Sequence, residues 1–418
     1  MRVAVVGGGI IGLASALELR RAGADVVLFE RGRCGAETSL GNMGWVCPFL
    51  VQPMPSWDTL RQAAARVGRR EHPVGIIPRL DPSFAGWVLR FLRNVTRHRN
   101  TDSLRALYEL AQDAPVLYSE LAASGVEFEM HEDGILVLAP EADGLRSYLA
   151  AASEMAALGY GGQTRLYQGA DLRALEPNLG SYPAAGLHLR AERNVRPETV
   201  TRGLAAAIGG LGVPIHEGVR VTGLHPDGGG WRVAAADGGG ERVDAVVVAG
   251  GLWSRDLLAP LGVRLLIEPA KGTSLTYEDT ERLIRHPLEL ADYRVACSTY
   301  DGAIRIAGGF ELGRFDRSVP DSRVRLLEDA VRTYFPQWPP GRMTARWAGL
   351  RPATPDDLPY IGPVPGHQGL YVAAGHGTLG VTLAPGTARA IRSMVIDGVR
   401  SPRLFPFRVD RWSAGPTR

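Results

Sequence analysis

Residues 2–30 read RVAVVGGGIIGLASALELRRAGADVVLFE, and their pattern decides the fold. Arg2 to Val6 is a short apolar run stopped by glycines, the form of a parallel strand buried on both faces. Ile11, Ala14, Leu17 and Leu19 follow at helical spacing, and Gly23 marks the end of that helix. DVVLFE is a second strand with Glu30 at its C-terminal tip. Gly7-x-Gly9-x-x-Gly12 falls in the turn between the first strand and the helix. Gly7 permits the sharp turn, Gly9 lets backbone N–H groups approach a pyrophosphate, and Gly12 lets helix and strand pack closely. The helix N-terminus adds partial positive charge for the phosphates. Glu30 stands where a carboxylate accepts ribose hydroxyls, which disfavours a 2′-phosphate and so NADP. FAD and NAD both fit this unit.

The same glycine spacing recurs near the other end of the chain as Gly375-x-Gly377-x-x-Gly380, in AAGHGTLGVTLAPG (373–386). GLYVAA (369–374) is again strand-like, and a helix again follows. No second strand with an acidic tip comes after it, so a second dinucleotide would lack its ribose partner. One extended cofactor held at both ends satisfies both motifs. In FAD the N1–C2=O edge of the isoalloxazine ring gains negative charge on reduction, and a helix N-terminus stabilises that charge. VDAVVVAGGLWS (243–254) reads as a further central parallel strand whose tip approaches the cofactor.

The whole composition agrees with a large α/β protein. The 418 residues exceed one small core, and two connected domains are expected. A net charge of +3 excludes a nucleic-acid-binding profile. Lys271 is the one lysine among 47 basic residues, so arginine abundance carries little functional information. Cys34, Cys47 and Cys297 have neither C-x-x-C nor metal-ligand spacing, which reads as reduced thiols and predicts no metal site. The N-terminus runs directly into a strand, without a signal-peptide pattern, and no stretch is long and apolar enough to cross a bilayer. A cytoplasmic setting is expected, at most peripheral at the inner face of the membrane. FAGWVLRFLRNVTRHR (84–99) mixes Phe84, Trp87, Leu89, Phe91 and Leu92 with arginines, so it could lie on an anionic membrane; an ordinary amphipathic helix is the alternative. Hairpins are expected around Asp133-Gly134 and Asp301-Gly302, and a helix break before Pro115.

WAGLRPATPDDLPYIGPVPGHQGLYVAAGHGTLGVTLAPGTA (347–388) resembles the C-terminal signature of the D-amino-acid oxidase and glycine oxidase superfamily. GHGTLGVT is most similar to its D-amino-acid dehydrogenase branch. ETSLGNMGWVCP (37–48), PAKGTSLTY (269–277) and STYDGAIRIAGGFELGRFD (298–316) match in the right order. The resemblance implies an α/β fold: a discontinuous Rossmann-like FAD-binding domain of glutathione-reductase type, with an α+β substrate domain built on a mostly antiparallel sheet. The FAD domain is expected at 1–46, 195–262 and 343–418, and the substrate domain at 47–194 and 263–342.

Carried over by position, Gly7, Gly9, Ile10, Ile11 and Gly12 would hold the pyrophosphate of a non-covalent FAD, with Glu30 and Arg31 near the ribose. Thr38, Ser39, Asn42, Met43 and Gly44 would run toward the flavin, and Val221 would meet the adenine. Gly250, Gly349, His376, Gly377, Thr378, Leu379 and Gly380 complete the set. Arg351, in GLRP, takes the place of the carboxylate-binding arginine of glycine oxidases, whose second arginine falls on Thr378 here. Tyr293, Tyr300, Lys271, Glu311 and His376 are further candidates for the substrate side, each with a structural alternative. The expected activity is oxidation of the CH–NH bond of D-amino acids or cyclic imino acids, with electrons passing to a quinone or another respiratory carrier. The alternatives are an oxygen-using glycine or sarcosine oxidase and a non-catalytic flavin-binding subunit.

Overall fold

The computed structural model describes residues 1–57, 59–60, 74–76, 79, 81–280, 283–339 and 341–412. Its first sheet grows from the N-terminal unit. Strands Ile215–His216, Asp25–Phe29, Arg2–Val6, Ala245–Val248 and Leu370–Ala374 run parallel in that order, and Tyr360–Pro363 closes the edge antiparallel. Side chains alternate between two cores. Val3, Val5, Val26, Leu28 and Val247 enter one, whereas Ala4, Val6, Val27, Val246 and Val248 enter the other. Both faces are covered, which is why these strands are continuous apolar runs.

Helix Ile10–Arg21 covers the first face, in contact with helices Pro197–Gly210 and Gly380–Ile396. Its expected inward residues are buried, and Leu13, Ser15 and Ala16 are buried as well because neighbours crowd it from more than one side. On the other face lies a small antiparallel sheet, Val221–Asp227, Gly230–Ala235 and Gly240–Val243, which contributes Leu224, Trp231 and Val233 to the second core.

The second large sheet has nine strands and is mostly antiparallel. Its order is Arg342–Ala353, Glu268–Glu278, Ala303–Leu312, Val295–Tyr300, Leu288–Leu290, Ile135–Ala139, Ala185–Leu189 and Thr164–Gln168, with Val74–Ile76 beside the end of Ala303–Leu312. This pairing corrects the expected division at 342/343. Strand Arg342–Ala353 is hydrogen-bonded along Glu268–Glu278, so it belongs to the second sheet.

The Asp301-Gly302 hairpin forms, with Tyr300 opposite Ala303 and Gly302 at φ +69°. The expected hairpin at Asp133-Gly134 does not. Met130–His131 pairs with Arg193–Val195, whereas Ile135–Ala139 enters the nine-stranded sheet. All five residues of Ile135–Ala139 are buried, so the run needs strands on both sides rather than a hairpin partner at an edge. The helical stretch near Pro115 breaks as expected, into Arg97–Ala111 and Ala114–Ala123.

Helix Pro82–Asn94 corrects the reading of its aromatic face. Phe84 and Trp87 are buried against Leu266, Ala270, Leu312 and Ala353, and Phe91 stacks on Trp87 with ring centroids 5.5 Å apart. Leu89 and Leu92 remain exposed. Among the described residues no helix is long and apolar enough to cross a membrane.

Candidate functional site

A cavity of about 530 Å³ runs along the C-terminal edge of the parallel sheet. This is where strand tips and helix N-termini converge in an α/β fold. Two helices open onto it. Gly9 is the N-cap of Ile10–Arg21 and Leu379 that of Gly380–Ile396, and neither provides a side-chain cap. Gly9, Ile10 and Ile11 line it beside the first helix, and His376, Gly377 and Gly380 beside the second. The two glycine motifs therefore serve a single cleft.

The glycines divide their work as the spacing predicts. Gly7 adopts φ +118°, and a Cβ there would stand 2.5 Å from the Ala249 carbonyl oxygen. A Cβ on Gly12 would collide with the Gly7 carbonyl oxygen. At Gly9 the nearest atom to an added Cβ is Ser39 Oγ at 3.5 Å, so this glycine faces open cleft. Gly12 serves the packing, and Gly9 leaves the cleft open.

Glu30 lines the cleft just beyond strand Asp25–Phe29. Its carboxylate accepts from Gly8 N at 2.7 Å and Gly32 N at 2.8 Å, which fixes it at the strand tip. Arg31 lies beside it with its guanidinium 3.5 Å from the Trp253 ring centroid, bridging the two banks of the cleft. Val221 and Gly250 line it too. The sequence reading missed Trp253, Asp256 and Leu257, which also line the cleft. Their only signal was their place just beyond a central strand tip.

Thr38, Ser39 and Asn42 form the middle of the wall. Ser39 Oγ accepts from Ile10 N at 3.1 Å, and Asn42 Nδ2 reaches the Thr378 carbonyl at 3.4 Å. Met43 and Gly44 turn their backbone away: the Met43 carbonyl accepts from Ser298 and Tyr300, and the Gly44 carbonyl from Val195 N.

Arg351 stands where both banks meet the second sheet. The carbonyl of Leu350 accepts from Thr38 Oγ1 at 3.0 Å, and that of Pro352 from Gly377 N at 3.1 Å. Between them the Arg351 guanidinium lies over bare Gly272 and donates to the Gly309 carbonyl at 2.6 Å. Among the described residues no carboxylate pairs with it. Burial pulls its pKa down to about 10, the sign of a cation held without a counter-ion. Trp347, two positions along on the same side of the strand as Gly349, covers both Gly349 and Gly41 with its indole.

The remaining candidates move away from this point. Lys271 is paired opposite Leu350, so it leaves the sheet on the face opposite to Arg351, and its ammonium binds Asp316 at 3.0 Å. Glu311 is occupied by Arg314 and Arg323. Tyr293 sits in the aromatic cluster with Tyr334, its hydroxyl 3.5 Å from Thr333, outside the cleft wall. The DG hairpin carries Tyr300 inward, but Tyr293 precedes it in a turn on the helical side. His376 reaches the cleft, but burial lowers its pKa to about 3 and Nε2 is engaged by Thr387 at 3.1 Å. A ring of such low basicity, held by Thr387, is a weak proton acceptor. Asp357, which the sequence reading passed over, lies beside Gly377 at φ +60° and accepts from Met54 N at 3.0 Å. Burial raises its carboxyl to about 6.

An elongated cleft with glycine cradles, a fixed acid at one end and a helix N-terminus at the other suits a molecule with a ribose, a diphosphate and an electron-rich ring. The residues fit FAD: Gly7 to Ile11 for the pyrophosphate, Glu30 for the ribose, and the Gly375–Gly380 turn for the ring.

Comparison with known proteins agrees. The DAO family, described as FAD dependent oxidoreductase, matches residues 2–394. A D-amino acid dehydrogenase of Methylobacterium nodulans is 32% identical over 97% of this chain and 97% of that protein. One of Cereibacter sphaeroides is 34% identical over 97% and 93%. Among solved structures, glycine oxidase from Bacillus cereus superposes with a TM-score of 0.77 at 21% identity, covering 98% of each chain. L-proline dehydrogenase from P. horikoshii gives 0.75 at 18%, covering 100% of this chain and 99% of that one. The chain belongs to the DAO family of FAD-dependent oxidoreductases.

Proposed function

We propose that the chain is a D-amino acid dehydrogenase, oxidising the CH–NH bond of a D-amino acid or a cyclic imino acid. The observation that carries this reading is Arg351, a cation without a carboxylate partner among the described residues, whose chain neighbours Leu350 and Pro352 bond Thr38 and Gly377 of the cleft wall. An amino-acid carboxylate is the matching anion, and a planar guanidinium can take it bidentately. The names of relatives 31–34% identical over nearly the whole chain support the same substrate class.

FAD, when bound, supplies a two-electron acceptor at flavin N5. The protein provides orientation and electrostatics. Arg351 fixes the substrate carboxylate and thereby the α-carbon. The uncapped N–H groups of helix Gly380–Ile396 favour negative charge at their end of the cleft. Neutral His376 adds no competing positive charge. No base need act at carbon if the amine enters neutral. With FAD bound, the α-hydrogen would leave as hydride, and the resulting iminium would take up water to give a 2-oxo acid and ammonium; a cyclic amine such as D-proline would then lose a proton to yield a cyclic imine.

Thr378 where glycine oxidases carry their second arginine favours the dehydrogenase over the glycine or sarcosine oxidase. The acceptor is a quinone or another respiratory carrier, met at a membrane surface through exposed Leu89 and Leu92 and their neighbour Arg93. Turnover with D-alanine should therefore reduce a quinone analogue without stoichiometric hydrogen peroxide. Peroxide equal to the 2-oxo acid formed would replace this reading with the oxidase.

A further inference from the structure

Thr38, Ser39 and Asn42 line the cleft from the segment 38–44, yet this segment belongs to neither large sheet. Its backbone is held from behind by the nine-stranded sheet. Ser298, Arg305 and Thr276 lie in register across three neighbouring strands, on one sheet face. From that row Arg305, only 4% exposed, sends Nη1 to two carbonyls of the loop, Leu40 and Asn42, each at 2.9 Å. Its Nη2 meets Glu198 at 3.1 Å and its Nε meets Thr276 Oγ1 at 3.1 Å. Ser298 and Tyr300 take the next carbonyl, Met43, at 2.6 and 2.9 Å. The carbonyls of Leu40, Asn42 and Met43 are thus drawn toward the substrate sheet, which leaves Ser39 and the Asn42 amide to meet the cleft.

We propose that Arg305 is a positioning residue that sets the cofactor loop, and through it the flavin end of FAD, in register with Arg351. The inference rests on the FAD-dependent reading above. The same sheet carries Arg351, so one rigid element places both the carboxylate receptor and the loop that flanks the cofactor. Only a forked, always-charged group can reach two loop carbonyls, a carboxylate and a hydroxyl at once. A lysine would keep the charge beside Glu198 and lose the fork.

The test compares holoprotein with Arg305→Lys and Arg305→Gln. Three quantities are read: FAD affinity of the deflavinated protein by fluorescence titration, the limiting rate of anaerobic flavin bleaching by D-alanine, and the Kd of D-alanine from its concentration dependence. Arg305→Lys should lower the thermal midpoint of the apoprotein but leave it folded at the assay temperature. It should still weaken FAD binding about 10-fold and slow bleaching about 100-fold, the order expected when reacting atoms are misplaced by about 1 Å. The Kd of D-alanine should stay within about twofold, because Arg351 is untouched. Tyr300→Phe removes a single bond to Met43 and should move the same quantities less. Wild-type FAD affinity and bleaching rate in Arg305→Lys would overturn the inference while leaving the activity intact. A wild-type protein that takes up no FAD would instead overturn the cofactor reading, and this inference with it.

Discussion

Arg351→Met separates function from stability. Methionine keeps an unbranched chain of similar length and removes the charge. In the wild type two charge-assisted bonds to a substrate carboxylate would contribute roughly 1.5 to 3 kcal/mol each. Their loss, about 3 to 6 kcal/mol, corresponds to a fall in kcat/KM of roughly 10² to 10⁴. The resting protein should respond differently. Holding the guanidinium at a pKa of about 10 costs up to about 3 kcal/mol at neutral pH, an upper limit because the side chain is only partly buried. Losing the bond to Gly309 offsets most of that gain, since a bond to a charged donor contributes roughly 1.5 to 3 kcal/mol. The net change in unfolding free energy should lie between zero and about 2 kcal/mol in favour of the variant. Urea unfolding gives the second quantity and anaerobic stopped-flow reduction the first. A variant that binds D-alanine as wild type does would refute the carboxylate role. One that unfolds several kcal/mol more easily would show Arg351 to be a structural cation.

Other consequences follow from the same geometry. Gly12→Ala places a methyl group against the Gly7 carbonyl oxygen, so it should abolish FAD retention on gel filtration; a yellow variant would contradict the tight-turn argument. His376 stays neutral in the folded protein down to about pH 3, whereas the unfolded chain takes a proton near pH 6.5. Its contribution is therefore complete above that pH and lost as pH falls, by about 3 kcal/mol between pH 7 and 4, and His376→Gln should flatten that limb of the unfolding curve. Asp357 has the opposite sign. Its carboxyl is raised to about 6, so its cost grows as pH rises through the window from about 4 to 6, and Asp357→Asn should stabilise by up to about 3 kcal/mol at pH 8 and by almost nothing at pH 4. Asparagine tolerates the φ of +60° and still accepts from Met54 N, which keeps the comparison clean. Leu89→Asp with Leu92→Asp should abolish salt-sensitive pelleting with anionic vesicles, and a wild-type protein that never pellets would remove the membrane contact.

The N-terminal unit was legible because one physical requirement, a close approach of backbone to phosphate, forces glycines into a fixed spacing between two apolar runs. The C-terminal motif could be read for the same reason, and the missing acidic strand tip showed that it served the same cofactor. Other elements were hidden for reasons of equal generality. Ile135–Ala139 was mistaken for half of a hairpin because a turn signal says where the chain bends and not which sheet receives it. Trp87 carried a membrane-like pattern, yet its partners Leu266 and Ala353 come from distant segments. Lys271 drew attention by rarity, but the pleat turned it from Arg351. Arg305 escaped notice because one inward arginine in AIRIAGG is lost among so many, and its loop carbonyls are more than 260 positions away.

The central claim, an FAD held at both ends beside an amino-acid carboxylate receptor, meets its most direct test in an anaerobic visible spectrum of the purified protein. D-alanine and then D-proline are added, with their L-isomers as controls. The account predicts a flavin band that a D-isomer bleaches and its L-isomer leaves intact. A flavin band that no amino acid bleaches would contradict the substrate assignment, and a colourless protein that cannot be loaded with FAD would contradict the reading of the cleft itself.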